Sequence, residues 1–316
     1  MSGMPDRRVC AVVLNYNQSA AACQAWDELK RSQGIDVDVL VVDAASAPRD
    51  RDELRSHVPA DRLLLLAENL GYAGGMNAGI RFWHEHAPGA AILLVTPDAR
   101  LPPDLALALW QALVADDTIG AVGPVVVYRE SPPRIGAGGR VDPRRARVRL
   151  IPEVRATTPY DADWIEGCCI MLRPRALLDV GGFDEEYFLY FEEVDLCHRL
   201  RRAGWRVRVV PTARVRHPKA SGRLPAHYYY YMTRNGYRFW ARNFGTATGL
   251  AAMEPLRSTL WLGALALGSV LLPTRWREVP DRWRDWRLQL RGAWAGTRDH
   301  LRGRYGRGPV STQPRD

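Results

Sequence analysis

The chain has 316 residues, 47% of them hydrophobic and 25% charged, with a formal net charge of +9. That length buries one large core in one or two domains, and the balance is that of an ordinary soluble globular protein. Five cysteines (Cys10, Cys23, Cys168, Cys169, Cys197) include no CxxC pair and no Cys/His ligand spacing. This argues against a cysteine-built zinc site and predicts reduced thiols in a cytosolic compartment.

The opening residues MSGMPDRR lead into a polar-flanked strand without a secretory-signal pattern, so a cytoplasmic location is expected. Val9–Leu14 is a continuous apolar run, as in a strand buried on both faces. A helix is predicted over Ser19–Arg31 with Ser19 as its N-cap, then a second buried strand, Val37–Val42, ending at Asp43. Leu63–Ala67 reads as a third strand, followed by a Gly-rich turn and a helix from about Gly74 to His86. Ala91–Val95 is a fourth strand and runs out at Thr96-Pro97-Asp98; a helix opens near Pro103, and Ala121–Val127 is a further strand. The alternation predicts an α/β fold with a mostly parallel, doubly wound sheet and helices on both faces. Such sheets bind ligands beyond the carboxyl ends of their strands, where Asn15, Asn17, Asp43 and Asp98 all fall.

Past residue 128 the pattern changes. Residues 129–160 are rich in Pro, Arg and Gly and read as loop or short strands. Trp164–Leu172 is apolar and small, and Arg175–Val180 is a short helix stopped by Gly181-Gly182. A charged helix from about Glu192 to Ala203, closed by Gly204, precedes a strand at Trp205–Val210. Leu256–Leu272 is mostly apolar but contains Arg257 and is short of the roughly 20 residues of a bilayer span, so it reads as a buried or interfacial helix.

The last segment, 273–316, holds eleven arginines against five acids. Within it Trp283, Trp286, Leu290 and Trp294 recur along one helical face, with Arg282, Arg284, Arg287 and Arg291 around them. Aromatic anchors among arginines suit the headgroups of an anionic membrane surface; the competing reading packs the tryptophans back onto the protein.

The densest chemistry lies in Gly181–His217, where Glu192, Glu193 and Asp195 crowd a predicted helix start. Mutual repulsion raises the proton affinity of at least one carboxylate, and such a group beside a cleft serves as a general base. The competing reading is a solvated acidic helix N-terminus.

The segments VVLNYN (12–17), VVDAAS (41–46), ENLGYAGGMNAG (68–79), LLVTPDARL (93–101), WIEGCCIMLRP (164–174), GGFDEEYFLYFEEVDLCHRLRRAGW (181–205), VRH (215–217) and YYMTRNGYRFW (230–240) occur in this order. Together they resemble the family 2 glycosyltransferases, in particular the bacterial rhamnosyltransferase and galactofuranosyltransferase-like branch. The resemblance implies a GT-A fold over residues 1–250, with 251–316 as a helical basic and aromatic extension.

It also implies roles for individual residues. Asn15, Asn17 and Asp43 match positions that hold the base and ribose of a nucleotide-diphosphate sugar donor, and Gly71, Gly74 and Asn77 lie in the Gly-rich turn facing its diphosphate. Asp98 matches the metal-binding carboxylate for Mg²⁺ or Mn²⁺, with Thr96 departing from the acidic or amide residue of that motif; His217 matches a histidine beside the metal. Glu193, with Glu192 as the alternative, matches the base, and Asp195 organises its loop. Trp164 and Gly167 match a loop lining the donor-sugar and acceptor pocket, and Arg234 and Asn235 match residues near phosphate or acceptor. The implied reaction is an inverting transfer to a glycan, lipid-linked or small-molecule acceptor; the Trp and Arg segment, on its membrane reading, would place a cytoplasmic enzyme peripherally at the inner face of the membrane. A catalytically impaired nucleotide-sugar-binding partner subunit is the alternative, and Thr96 is its support. The basic residues cluster at one end, so no nucleic acid is expected as partner.

Overall fold

A computed structural model describes residues 7–129, 133–218, 224–245 and 279–308, without the side chains of 279–287. The apolar run Leu256–Leu272 and the side chains of Arg282, Trp283, Arg284, Trp286 and Arg287 lie outside the described residues.

The chain folds as β1 (Arg8–Asn15), α1 (Ser19–Lys30), β2 (Asp36–Asp43), α2 (Pro48–His57), β3 (Leu63–Leu65), α3 (Gly71–His86), β4 (Ala91–Val95), α4 (Leu105–Val114) and β5 (Ile119–Tyr128). Four short strands follow: β6 (Ile135–Gly136), β7 (Gly139–Asp142), β8 (Arg147–Leu150) and β9 (Tyr160–Asp161). Next come β10 (Cys169–Leu172), α5 (Pro174–Val180), α6 (Glu192–Arg202), β11 (Arg206–His217), α7 (Ala226–Phe244) and α8 (Val279–Leu301).

The main sheet has nine strands in the order β3-β2-β1-β4-β10-β5-β11-β9, with β6 paired to β5; β7 and β8 form a separate pair. Strands β3, β2, β1 and β4 run parallel, as do β5 and β11, while β10 is antiparallel to both β4 and β5. The carboxyl ends of β1, β2, β4, β5 and β11 therefore share one edge, and β10 begins there.

Two-residue alternation sorts the apolar runs between the two faces. Val9, Ala11 and Val13 of β1 join Val39, Val41, Leu93 and Val95 in a core closed by Ala22, Trp26 and Leu29 of α1 and Leu109 and Leu113 of α4. On the opposite face α3 lies so close to β1 that a Cβ on Gly75 would meet Leu14 and one on Gly79 would meet Val12. The indole N–H of Trp83 donates to the Ala11 carbonyl at 3.0 Å. All five cysteines are free and buried.

The structure departs from the sequence expectation in local ways. Ser19 is the first helical residue, not the cap: Gln18 holds the cap position, and the Ser19 hydroxyl lies within hydrogen-bond distance of both Asp50 and Glu53, with one proton to share between them. Helix α2 buries only Leu54, so it has no apolar stripe to reveal it. Strand β11 runs on to His217, past the register shift between Val210 and Arg214.

The chain divides into two compact units. The first holds residues 1–141, 148–188 and 192–219; the second holds 142–147, 189–191 and 220–316, so α7 falls with the C-terminal part.

Candidate active site

The shared strand edge gathers the chemistry of the first unit. After β4 the chain turns tightly, Ala99 N–H donating to the Thr96 carbonyl at 3.2 Å. Arg100 then pairs backbone to backbone with Arg216 of β11, at 2.8 and 3.2 Å. This pairing sets Asp98 beside the end of β11, and Asp98 Oδ1 lies 3.2 Å from His217 Nε2. His217 Nδ1 meets the Pro218 carbonyl at 2.8 Å, which fixes the ring and leaves Nε2 toward the carboxylate. Burial opposes charge on Asp98, but the His217 hydrogen bond and charge hold its carboxyl below the usual value. Burial likewise opposes charge on His217, and Asp98 outweighs it, raising the imidazole.

The segment leading into β10 lies next to this pair. Thr96 N–H donates to the Cys168 carbonyl at 3.0 Å. Glu166 accepts a hydrogen bond from the Tyr128 hydroxyl through Oε2, and its Oε1 is enclosed with no partner among the described residues. Burial pushes the Glu166 carboxyl up to about 7, against the opposing pull of Tyr128, His217 and Arg134. Room for it comes from β6, where a Cβ on Gly136 would collide with the Glu166 carboxylate. The buried Trp164 indole lies on Gly139 in the same way.

Gly167 connects this segment to the acidic pair. Its carbonyl accepts from the Tyr72 hydroxyl at 2.5 Å, and a Cβ on it would stand 3.6 Å from Glu193 Cβ. Glu192 and Glu193 open α6, and Oε2 of each is buried with no partner among the described residues. Desolvation raises both carboxyls: Glu193 reaches about 7, and Glu192, repelled also by Glu193, goes well above the carboxylate range. The competing picture of a solvated acidic helix start does not hold. Asp195, fully buried, accepts from Tyr187 and Arg199 and ties the acidic loop to α6.

The match with known proteins then fixes the family. Residues 10–180 match the family model described as Glycosyl transferase family 2. The chain is also 34% identical over 266 residues to the N-acetylglucosaminyl-diphospho-decaprenol L-rhamnosyltransferase of Mycobacterium tuberculosis, covering 75% of this chain and 83% of that one. The chain belongs to glycosyl transferase family 2. It is a glycosyltransferase, and its mixed sheet and flanking helices are a GT-A fold.

Solved structures agree on the fold of this family 2 enzyme. The mannosyltransferase PcManGT from Pyrobaculum calidifontis, in complex with GDP-Man and Mn²⁺, has a TM-score of 0.55 at 17% identity, covering 95% of this chain and 90% of that one. GalNAc-T7 with UDP, GalNAc and Mn²⁺ has a TM-score of 0.52 at 13% identity; the match covers 67% of this chain and 44% of that one.

Other expected site residues have specific placements in the glycosyltransferase. Asn15 and Asp43 are fully buried; Asn15 Nδ2 donates to Asp43 at 2.9 Å and to Ser46 at 3.1 Å. Arg51 pairs with Asp43 at 2.8 Å, and Asn17 takes φ 53° while its side-chain oxygen accepts from Ala47 N–H. Ser46 and Arg51 are thus members of this network that sequence reading passed over; VVDAAS contained the first of them. The α3 glycines make room for protein atoms: Gly71, at φ 69°, faces the Phe188 carbonyl, and Gly74 faces Leu70 and Glu185. The Asn77 amide accepts from Phe183 N–H and donates to the Phe183 carbonyl and to Glu185.

Two expected residues lie in the second unit. Asn235 Nδ2 donates to the carbonyls of Leu189 and Tyr190, each at 2.8 Å, just before Glu192 in the chain. Tyr190 and Phe191 there take φ 67° and 73°, a conformation costly for non-glycine residues. Arg234 is fully buried, donates to the Gly306 carbonyl at 2.6 Å, and lies over the rings of Tyr230, Tyr231 and Tyr305.

Proposed function

We propose that this glycosyltransferase moves a 6-deoxyhexose or related hexose from a dTDP- or UDP-sugar to a hydroxyl of a lipid-linked saccharide, with inversion at the anomeric carbon. The observation that carries the reading is the enclosed oxygen of Glu193, without a partner among the described residues, beside the Gly167 segment that leads from the Asp98–His217 pair. The acceptor type follows the relative named for N-acetylglucosaminyl-diphospho-decaprenol.

Asp98 and His217 fit a divalent cation: an oxygen and a nitrogen donor converge, and Mg²⁺ or Mn²⁺ takes its remaining ligands from diphosphate and water. Among the described residues there is no cluster of three or more His, Cys, Asp or Glu to complete a cage. When bound, the cation neutralises charge on the departing nucleotide diphosphate. Asn15, Asn17 and Asp43 shape the loops that receive the nucleotide, and Arg51 brings a guanidinium to the same place. Trp164 and Gly167 border the sugar.

Glu193 removes the acceptor hydroxyl proton as that oxygen bonds to the anomeric carbon. The bond from that carbon to the diphosphate oxygen breaks with its electron pair, and the proton stays on Glu193 Oε2. Glu192 stays protonated beside it, since two adjacent buried carboxylates do not both ionise readily. Without a covalent intermediate the sugar inverts, by the stereochemical logic of single displacement.

The test supplies dTDP-rhamnose, or other nucleotide sugars in turn, with Mn²⁺ and a polyprenyl-diphospho-N-acetylglucosamine acceptor, and reads the product anomer by NMR. Inverted product supports the proposal. Retention, or transfer unaffected by EDTA, contradicts it.

A further inference from the structure

Helix α8 has two faces of opposite character. Its inner face is nearly bare: a Cβ on Gly292 would strike Ala226 O and Tyr229 of α7, and one on Gly296 would strike Tyr230 O. Ala293 is buried beside them, and so is Asp299, which accepts from the Tyr230 hydroxyl at 3.0 Å. The backbones of α7 and α8 therefore lie close together at Gly292 and Gly296, and Tyr237 of α7 stacks on His300 further along.

The outer face carries exposed apolar groups and arginines. Trp294 is 58% exposed and Leu301 is 70% exposed, two of the three large apolar side chains that stand out among the described residues. They are seven residues apart, two helical turns, and so lie on one stripe. Arg291, Arg298 and Arg302 are exposed on and beside that stripe, and Arg304 and Arg307 are exposed just past the helix end. Residues 288–308 contain five arginines and a single acid, Asp299, which is turned inward under Tyr230 and meets Arg298 at 3.2 Å. Trp294 and Leu301 thus stand exposed on a segment, 288–308, where positive charge outnumbers negative five to one.

We propose that the outer face of α8 is a docking surface for the anionic headgroups of a lipid bilayer. Trp294 and Leu301 enter the headgroup–acyl boundary, and Arg291, Arg298 and Arg302 pair with lipid phosphates. Among the described residues no helix is long and apolar enough to cross a membrane. The proposal extends the reading of a lipid-linked acceptor, because a surface-bound enzyme meets that acceptor in the membrane plane, but binding itself requires no turnover.

The experiment sediments the full chain with phosphatidylcholine vesicles, with and without about one-third phosphatidylglycerol, and repeats it with a structured RNA as competitor. The expected result is binding that needs the anionic lipid, weakens with NaCl and is not displaced by RNA. Each arginine contributes about fivefold to partitioning, so Arg291→Gln/Arg302→Gln lowers it by about 25-fold, while the double Arg→Lys variant retains it. Trp294→Ala/Leu301→Ala lowers it roughly tenfold. Melting temperature and transfer to a water-soluble acceptor, measured on each variant, stay at wild-type values. Absence of vesicle binding by the wild-type chain, equal binding by all variants, or displacement by RNA overturns the proposal. None of these outcomes bears on whether the soluble transfer reaction occurs, so the two readings fail separately.

Discussion

Asp98 and His217 face each other at 3.2 Å, although one follows β4 and the other ends β11, because Arg100 and Arg216 join their backbones between them. Removing either donor should uncouple the enzyme from divalent cations. Asp98→Ala is expected to lower kcat/KM by roughly 10²–10³-fold, the worth of charge stabilisation at a leaving group. It should also abolish the rise in Tm that Mn²⁺ with a nucleotide diphosphate gives the wild type. A thermal-shift titration checks this; an unchanged shift contradicts the metal assignment.

The same pair sets a pH signature in the metal-free protein. Asp98 is held below its ordinary 3.8, so its contribution is present above that pH and is lost as pH falls through the depressed value. His217 is raised above 6.5, so its contribution is present below that pH and fades as pH rises through the raised value. The attraction is therefore greatest between about pH 4 and 6.5. With EDTA present, His217→Gln should reduce Tm within that window and have less effect at pH 9. An equal loss within the window and at pH 9 contradicts the ion pair.

Glu166 is expected to trade stability for function. Its carboxyl is raised from 4.5 to about 7, so stability is lost as pH rises between those values and the loss is complete above about 7. Glu166→Gln should raise Tm by a few degrees at pH 8, a gain on the order of 1–3 kcal/mol, and leave it nearly unchanged at pH 5. Transfer should fall, since Tyr128 and the sugar pocket lose a carboxylate acceptor. A melting curve at the two pH values decides it, and a lower Tm at pH 8 refutes the account.

Asn235 is expected to act on catalysis through the backbone it holds. Asn235→Ala removes the amide that donates to the Leu189 and Tyr190 carbonyls, a cost of roughly 1–3 kcal/mol. The positive-φ residues Tyr190 and Phe191 should then relax, lowering kcat more than donor affinity. Arg234→Met should instead act on stability, through the Tyr230, Tyr231 and Tyr305 cluster. Comparing kcat, donor Kd and Tm for the two variants separates the effects; identical profiles contradict the distinction.

Much of the sheet was legible because its strands are buried on both faces, and runs such as Val9–Leu14 and Ala91–Val95 have few alternatives. Helix α2 was hidden because its ten residues bury only Leu54. The far half of β11 was hidden because Pro211, Thr212 and Arg214 break the apolar run just where the register shifts. In the site, motif residues such as Asp98 and Glu193 could be named from their segments, whereas Tyr128 and Glu166 could not. Their meeting depends on β10 entering the sheet between β4 and β5, a topology that no local spacing encodes. The glycines of α3 were legible as close-approach positions, but the approaching atoms belong to Phe188, Leu70 and Leu14.

The central claim is that Glu193 is the general base, and kcat for Glu193→Gln at saturating donor, acceptor and Mn²⁺ tests it most directly. The predicted result is a fall of roughly 10²–10⁴-fold with donor Kd near wild type. It comes with loss of the wild-type rise in kcat through about pH 7, where Glu193 ionises. Near-normal turnover by Glu193→Gln, with the large loss found in Glu192→Gln instead, would contradict the assignment.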